Sequence, residues 1–384
     1  MLRVAFLTDA PRVAGSEVWL LSVLPQLPAL GITPAVFVPV GTALDAFAER
    51  LIEADLPVTR FKRLSDLPVL TRDFDLRVMH AWGLLTYARL FPQLAEPRWV
   101  VIHDQLEFFY PLGLRAFYRL GFRLTKGWGM RSAGGVLTVS EWADGWLRRF
   151  KLPISGFVRN GVNVERFRPA AEQERAALRT KFGFTRFTVL VPGRFVLEKN
   201  QWAALRSARH ARELDFVFVG DMDSALGKLA VRFKHLAHLS NVRFLGRRHD
   251  MPALYRAADA LLQPTLAENQ SLVTLEAMAS GLPIITTPIP AQAELVEDGV
   301  SGLLVPPAPH LLALALRRLS ANPERARQMG EAARARVLAA HTLDGAAARL
   351  AGMLRTAHSI PADHDVRLPI HQPAASVQFL PAKP

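Results

Sequence analysis

The chain has 384 residues, a formal net charge of +13 and no cysteine, and half of its residues are hydrophobic. That length favours two domains with sizeable cores, and the lack of cysteine excludes disulfides, zinc–thiolate sites and thiol nucleophiles. The positive balance favours anionic partners (phosphorylated substrates, anionic lipid headgroups or nucleic acid), while no apolar run approaches the ~20 residues that span a bilayer.

The start, MLRVAFLTDAPR, reads as a buried strand that reaches Asp9 at once, so no signal peptide is expected. AGSEVWLLSVLPQLPALG reads as one helix, with Glu17 in its first turn and Gly31 past its end. TPAVFVPVG is a strand and TALDAFAERLIEADLP a helix. LRVMHAW, WVVIHDQ and GGVLTVS are further strands, each with a polar or small residue at its C-terminal end, the edge where open α/β sheets bind ligands. Ser140 is the expected N-cap of the next helix, and an Asn160–Gly161 turn leads to Pro169, where a domain boundary is expected. The strand–helix alternation then restarts. VLVPGRF ends at Gly193 and Arg194, DFVFVGD and NVRFLG follow, and ALLQP is a buried strand ending at Pro264. Three helices over 309–358 close the second unit. The stretch from 359 to 384 is proline-rich and without period, so a disordered tail is expected.

The stretch AENQSLVTLEAMASGLPIITT carries the chemistry. Its loop sets Glu268 and several backbone N–H groups just before a helix N-terminus, which attracts phosphate. Glu276 lies on that helix, and a carboxylate accepting two hydrogen bonds suits a vicinal diol. A loop glutamate in water and a helix-surface glutamate are the plainer alternative.

The segment resembles the E-x7-E signature of retaining GT-B glycosyltransferases, specifically glycosyltransferase family 4. Glu268 and Glu276 stand where that family has its two glutamates. Asn269, Gln270 and Ser271 replace its common Gly-Phe-Gly. Ala14–Gly15–Ser16–Glu17 resembles the family's Gly-Gly-x-Glu loop, with Ala14 for the first glycine. Arg194 and Lys199 in VPGRFVLEKNQ match its Gly-Arg-x(4)-Lys segment.

The resemblance implies an α/β GT-B architecture: two Rossmann-like domains, 1–169 and 170–342, facing each other across a cleft, with a helix over 343–358 crossing back to the first. It implies that Glu268 holds the donor sugar and Glu276 the ribose, that Arg194 and Lys199 neutralise the diphosphate, and that His103 orients sugar hydroxyls. Gly15 and Ser16 would complete the phosphate cradle, with Asn269, Gln270, Ser271, Leu272 and Val273 lining it and Gly246 and Arg247 near the base. The expected activity is metal-independent, retaining transfer from a nucleotide-sugar donor to a glycan or lipid-linked acceptor, in the cytoplasm, with no cofactor. A non-catalytic nucleotide-sugar or glycan binder is the alternative.

Other patterns read as decoys. Asp221–Met222–Asp223 has the look of a metal site but falls inside the second unit, and no metal is expected. His235 and His238 read as surface residues on one helix face. Residues 111–131 read as a helix with a cationic stripe of Arg115, Arg119, Arg123, Lys126 and Arg131. It suits either an anionic membrane surface or an ordinary cover of the sheet. Nucleic acid is disfavoured, because no interleaved aromatic–basic module occurs elsewhere.

Overall fold

The computed structural model describes residues 1–106 and 112–359. The tail expected over 359–384 therefore lies outside the described residues except for Ser359, the last residue of a helix.

Two parallel sheets organise the chain. The first contains β1 (Leu2–Thr8), β2 (Ile32–Pro39), β3 (Val58–Phe61), β4 (Leu76–His80), β5 (Arg98–Ile102), β6 (Gly135–Thr138) and β7 (Ile154–Phe157). Their order is β3-β2-β1-β4-β5-β6-β7. The second contains β8 (Thr188–Pro192), β9 (Asp215–Val219), β10 (Val242–Phe244), β11 (Ala260–Gln263), β12 (Ile284–Thr286) and β13 (Gly302–Leu304), in the order β10-β9-β8-β11-β12-β13. The central strands β1, β4, β8 and β11 are buried almost throughout, as expected of parallel strands covered by helices on both faces. In each sheet the order reverses once, between β1 and β4 and between β8 and β11. Loops leaving those strand ends diverge and open a crevice.

The lobes are joined by two neighbouring crossings. Val162 bridges Thr342, with hydrogen bonds from Val162 N to His341 O (2.9 Å) and from Leu343 N to Val162 O (3.1 Å). A Cβ on Gly161 would lie 2.5 Å from the Thr342 carbonyl, so the crossings approach closely because that residue has no side chain. The helix Leu343–Ser359 then returns to the first lobe, where Leu343, Ala347, Leu350, Ala351, Leu354 and Ala357 join the core around Trp19, Val36 and Val78.

Several expectations need correction. The helix expected to reach Gly31 is α-helical only over Gly15–Val23; Pro25 and Pro28 lack the amide proton an α-turn requires, and the chain continues as two 3-10 turns to Gly31 at φ +76°. β3 has no counterpart in the sequence reading. It is a half-buried edge strand, and VTRF lacks a strong apolar alternation. His235 and His238 do not share a helix face, because the helix Ala225–Leu236 ends before His238, which sits at φ +48°. The cationic stripe is also broken. Pro111 lies outside the described residues, the helix Leu112–Leu124 stops at Thr125, and Lys126 turns inward.

Candidate active site in the cleft between the lobes

A cavity of about 550 Å³ lies where the two switch points meet. From the first lobe it is lined by the loop after β1 (Arg12, Ala14, Gly15, Ser16) and by the ends of β4 (His80, Ala81, Trp82) and β5 (His103, Asp104). From the second come the loops after β8 (Gly193, Arg194, Glu198, Lys199) and β11 (Glu268 to Val273). Such a volume accommodates a small-molecule ligand.

Local bonding explains why these loops converge. The Glu198 carbonyl accepts from Leu266 N (2.7 Å) and from the Thr265 hydroxyl (2.8 Å), which ties the β8 loop to the β11 loop. That tie brings Lys199 Nζ to 2.6 Å from Glu268 Oε2. Gly193 adopts φ +129°, and a Cβ on Gly220 would meet its carbonyl at 2.4 Å, so these two turns pass closer than side chains permit. Ser271 caps the helix Leu272–Ala279 by accepting from Thr274 N, leaving the N-terminal end of that helix facing the cavity.

On the opposite wall, Glu17 is fully buried. It accepts from Ala14 N (3.1 Å), Ser16 Oγ (2.9 Å) and Thr8 Oγ1 (3.2 Å), and burial raises its pKa. It therefore braces the β1 loop from behind and does not line the cavity. A Cβ built on Gly15 meets nothing within 4 Å, so the space in front of this turn is open.

The electrostatics point to an anion. Burial presses the Arg194 guanidinium below its usual pKa, and Arg12 from the other lobe presses it further, with Arg247 adding a smaller like-charge effect. Glu198 is the nearest counter-charge, at 3.9 Å. Cations gathered against their own repulsion favour an incoming anion that bridges them.

His103 follows β5 directly. Its ring stacks on His80 at 5.0 Å and lies 4.8 Å from Trp19, and burial lowers its pKa to about 3. His80 is buried too, with a strongly lowered pKa. Both rings are neutral, and His103 Nε2 and both His80 nitrogens lack a partner among the described residues. Neutral imidazoles of this kind can orient hydroxyls, but they are weak bases. Beside them Lys126 Nζ donates to Asp104 Oδ2 (2.6 Å) and to the Ala81 carbonyl (2.8 Å), an ion pair at the cavity wall.

Of the residues singled out from sequence, Gly15, Ser16, His103, Arg194, Lys199, Glu268, Asn269, Gln270, Ser271, Leu272 and Val273 line this cavity. Three do not. Glu276 lies further along its helix, where Tyr255 Oη donates to it at 3.0 Å and burial raises its pKa to about 7. Gly246 accepts from Gly220 N (2.9 Å), and Arg247 extends into solvent to pair with Asp221 (2.6 Å). Asp221 also accepts from Asp223 N, so the D-x-D segment forms a local turn. The sequence reading missed Arg12, His80, Trp82, Asp104 and Tyr118. His80, Trp82 and Asp104 lie at strand ends that read as ligand edges, whereas Arg12 follows β1 and Tyr118 stands on a helix, and neither carried such a signal.

Two facing Rossmann-like sheets with a cleft at their paired switch points define the GT-B fold. Residues 186–322, which lie within the second lobe, match the family described as "Glycosyl transferases group 1". The chain is 32% identical over 183 residues to the putative glycosyltransferase EpsD of Bacillus subtilis, covering 45% of this chain and 47% of that protein. It is 28% identical over 242 residues to an alpha-D-kanosaminyltransferase of Streptomyces kanamyceticus, covering 59% and 61%. The match thus spans about half the length of these curated relatives. Among solved structures, Anabaena HepE in complex with UDP and glucose aligns with a TM-score of 0.80 at 20% identity, over 93% of this chain and all of that one.

Proposed function

We propose that this chain is a retaining glycosyltransferase that moves a sugar from a nucleotide-sugar donor to a hydroxyl of a glycan or lipid-linked acceptor. The observation that carries the reading is the convergence of Arg12, Arg194, Lys199, Glu268 and a capped helix N-terminus on one cavity between the lobes. Glycosyltransferase relatives and a fold neighbour that holds UDP-glucose support it.

In this reading Arg194 and Lys199, with the N–H groups at Gly15 and at the start of the helix Leu272–Ala279, hold the diphosphate. Glu268 accepts from the donor sugar's hydroxyls, and Glu276, further along the helix Leu272–Ala279, from the ribose. The bond from the anomeric carbon to the phosphate oxygen breaks as the acceptor oxygen attacks the same face, and the departing phosphate takes the acceptor proton. The weakly basic His103 orients hydroxyls in this scheme and leaves the proton to the phosphate. The cations stabilise the developing charge on the leaving group, so no metal is required. The protein would work in the cytoplasm, at the inner face of the membrane when the acceptor is lipid-linked.

The test is donor hydrolysis or transfer with UDP-, GDP-, ADP- and dTDP-sugars in the presence of EDTA, comparing wild type with Glu268→Ala. Wild-type turnover with at least one donor is expected, with a loss on the order of 10²–10³ in the variant. A wild type that binds nucleotide yet turns over none of these donors would instead identify a non-catalytic binder.

A further inference from the structure

Asn269 and Gln270 stand where a glycine-containing turn is common, and they do not face water: they are 3% and 6% exposed. Their side chains reach across the cleft. Ser140 Oγ of the first lobe donates to Asn269 Oδ1 (2.7 Å), and Asn269 Nδ2 donates to the Ile102 carbonyl at the end of β5 (3.3 Å). Gln270 Oε1 accepts from Asn160 N, and Asn160 Nδ2 donates back to the Gln270 carbonyl (2.9 Å). Gln270 Nε2 also reaches Glu294 (3.4 Å), and the Glu294 carboxylate accepts from the Glu141 and Trp142 amides at 3.1 and 3.0 Å. A second-lobe carboxylate thus caps the first-lobe helix Glu141–Leu147, whose N-cap hydroxyl is the one held by Asn269.

We propose that Asn269 and Gln270 are positioning residues that clasp the β11 loop to the first lobe, so that the cleft stays closed without a ligand. A glycine-containing turn has no side chains for this task, and closure would then wait for donor contacts. Here buried, reciprocal hydrogen bonds supply it beforehand, because opening would leave amide groups and the Glu294 carboxylate to find new partners. Closure that is already in place removes the population cost a donor meets when only a minor state is competent. The name "donor loop" rests on the function proposed above; the clasp does not.

The cysteine-free chain allows a direct measurement. Spin labels at Glu49→Cys and His210→Cys, exposed positions on opposite lobes, report the interlobe distance in the full-length protein by double electron–electron resonance. The ligand-free parent should give one narrow distribution that UDP leaves in place. Asn269→Gly/Gln270→Ala should broaden and lengthen it with far-UV circular dichroism unchanged, and UDP should narrow it again. Ser140→Ala, which removes the opposing hydroxyl together with its cap on the Ala143 amide, should broaden it partially and serves if the double variant folds poorly, provided far-UV circular dichroism is again unchanged. Distributions that superimpose on the parent in both variants, or a parent that contracts on adding UDP, overturn the clasp. Broadening that UDP does not reverse leaves the clasp standing and counts instead against nucleotide binding.

Discussion

Lys199 and Glu268 neutralise each other at 2.6 Å while their loops face the cavity. In the proposed function a diphosphate would draw the ammonium and a sugar diol the carboxylate, so a donor would replace this pair with two better-matched contacts. Glu276 is different: its carboxyl rests against Tyr255, and burial lifts its pKa from 4.5 to about 7. The folded state therefore favours the protonated form, and between about pH 4.5 and 7 it binds more protons than the unfolded chain. This contribution is fully present below pH 4.5 and is lost as pH rises through 7. Glu276→Gln cannot ionise and still accepts from Tyr255, so its melting temperature relative to wild type should increase steadily from pH 5 to pH 8. A difference that stays flat across this range would show that Glu276 titrates normally. The E-x7-E spacing made both glutamates legible in the sequence, but it could not reveal that one lines the cavity and the other packs on a tyrosine twenty-one residues earlier. Arg12 was illegible for a related reason: its role comes from the opposite lobe's Arg194, and sequence distance carries no trace of that encounter.

At the level of elements, buried parallel strands were the clearest feature, because β1, β4, β5, β8 and β11 are near-continuous apolar runs. The loops at their C-terminal ends were legible as ligand edges for the same reason. Elements set by tertiary packing were not: β3 is an edge strand with mixed polarity, and the helix after β1 breaks at prolines that the apolar period masks. The helix Leu343–Ser359 is the last element of the chain before the undescribed tail, yet it fills the core of the first lobe. Leu350 is fully buried there with Ala347 and Leu354. Leu350→Ala should cost about 2–5 kcal/mol by leaving a cavity among residues that cannot fully relax. Chemical denaturation should show that loss in the unfolding of the first lobe, although residue 350 follows the second lobe in sequence. A loss below about 1 kcal/mol would mean the helix is only loosely docked.

For the whole molecule, the excess of 13 positive charges must be weighed with where apolar side chains emerge. Phe117, Leu120 and Leu124 are exposed at three- and four-residue steps on the helix Leu112–Leu124, and Trp128 continues them on the next turn. Arg123 and Arg131 are exposed beside them, and Tyr118 of the same helix lines the cavity. Among the described residues no helix is long and apolar enough to cross a membrane. An apolar ridge among arginines would suit a lipid surface, with rings among the acyl chains and guanidiniums against headgroups, and this is the membrane contact to be tested. Docked in that way, the first lobe would present its cleft close to a lipid-linked acceptor. Sedimentation with liposomes should show binding that requires anionic lipid and weakens as salt rises from about 0.05 to 0.5 M, because screening shortens the reach of the charges. Phe117→Glu/Leu124→Glu should abolish it while leaving donor hydrolysis in solution unchanged. Absence of co-sedimentation at low salt would leave the ridge as an interface for another protein or a second copy of the chain.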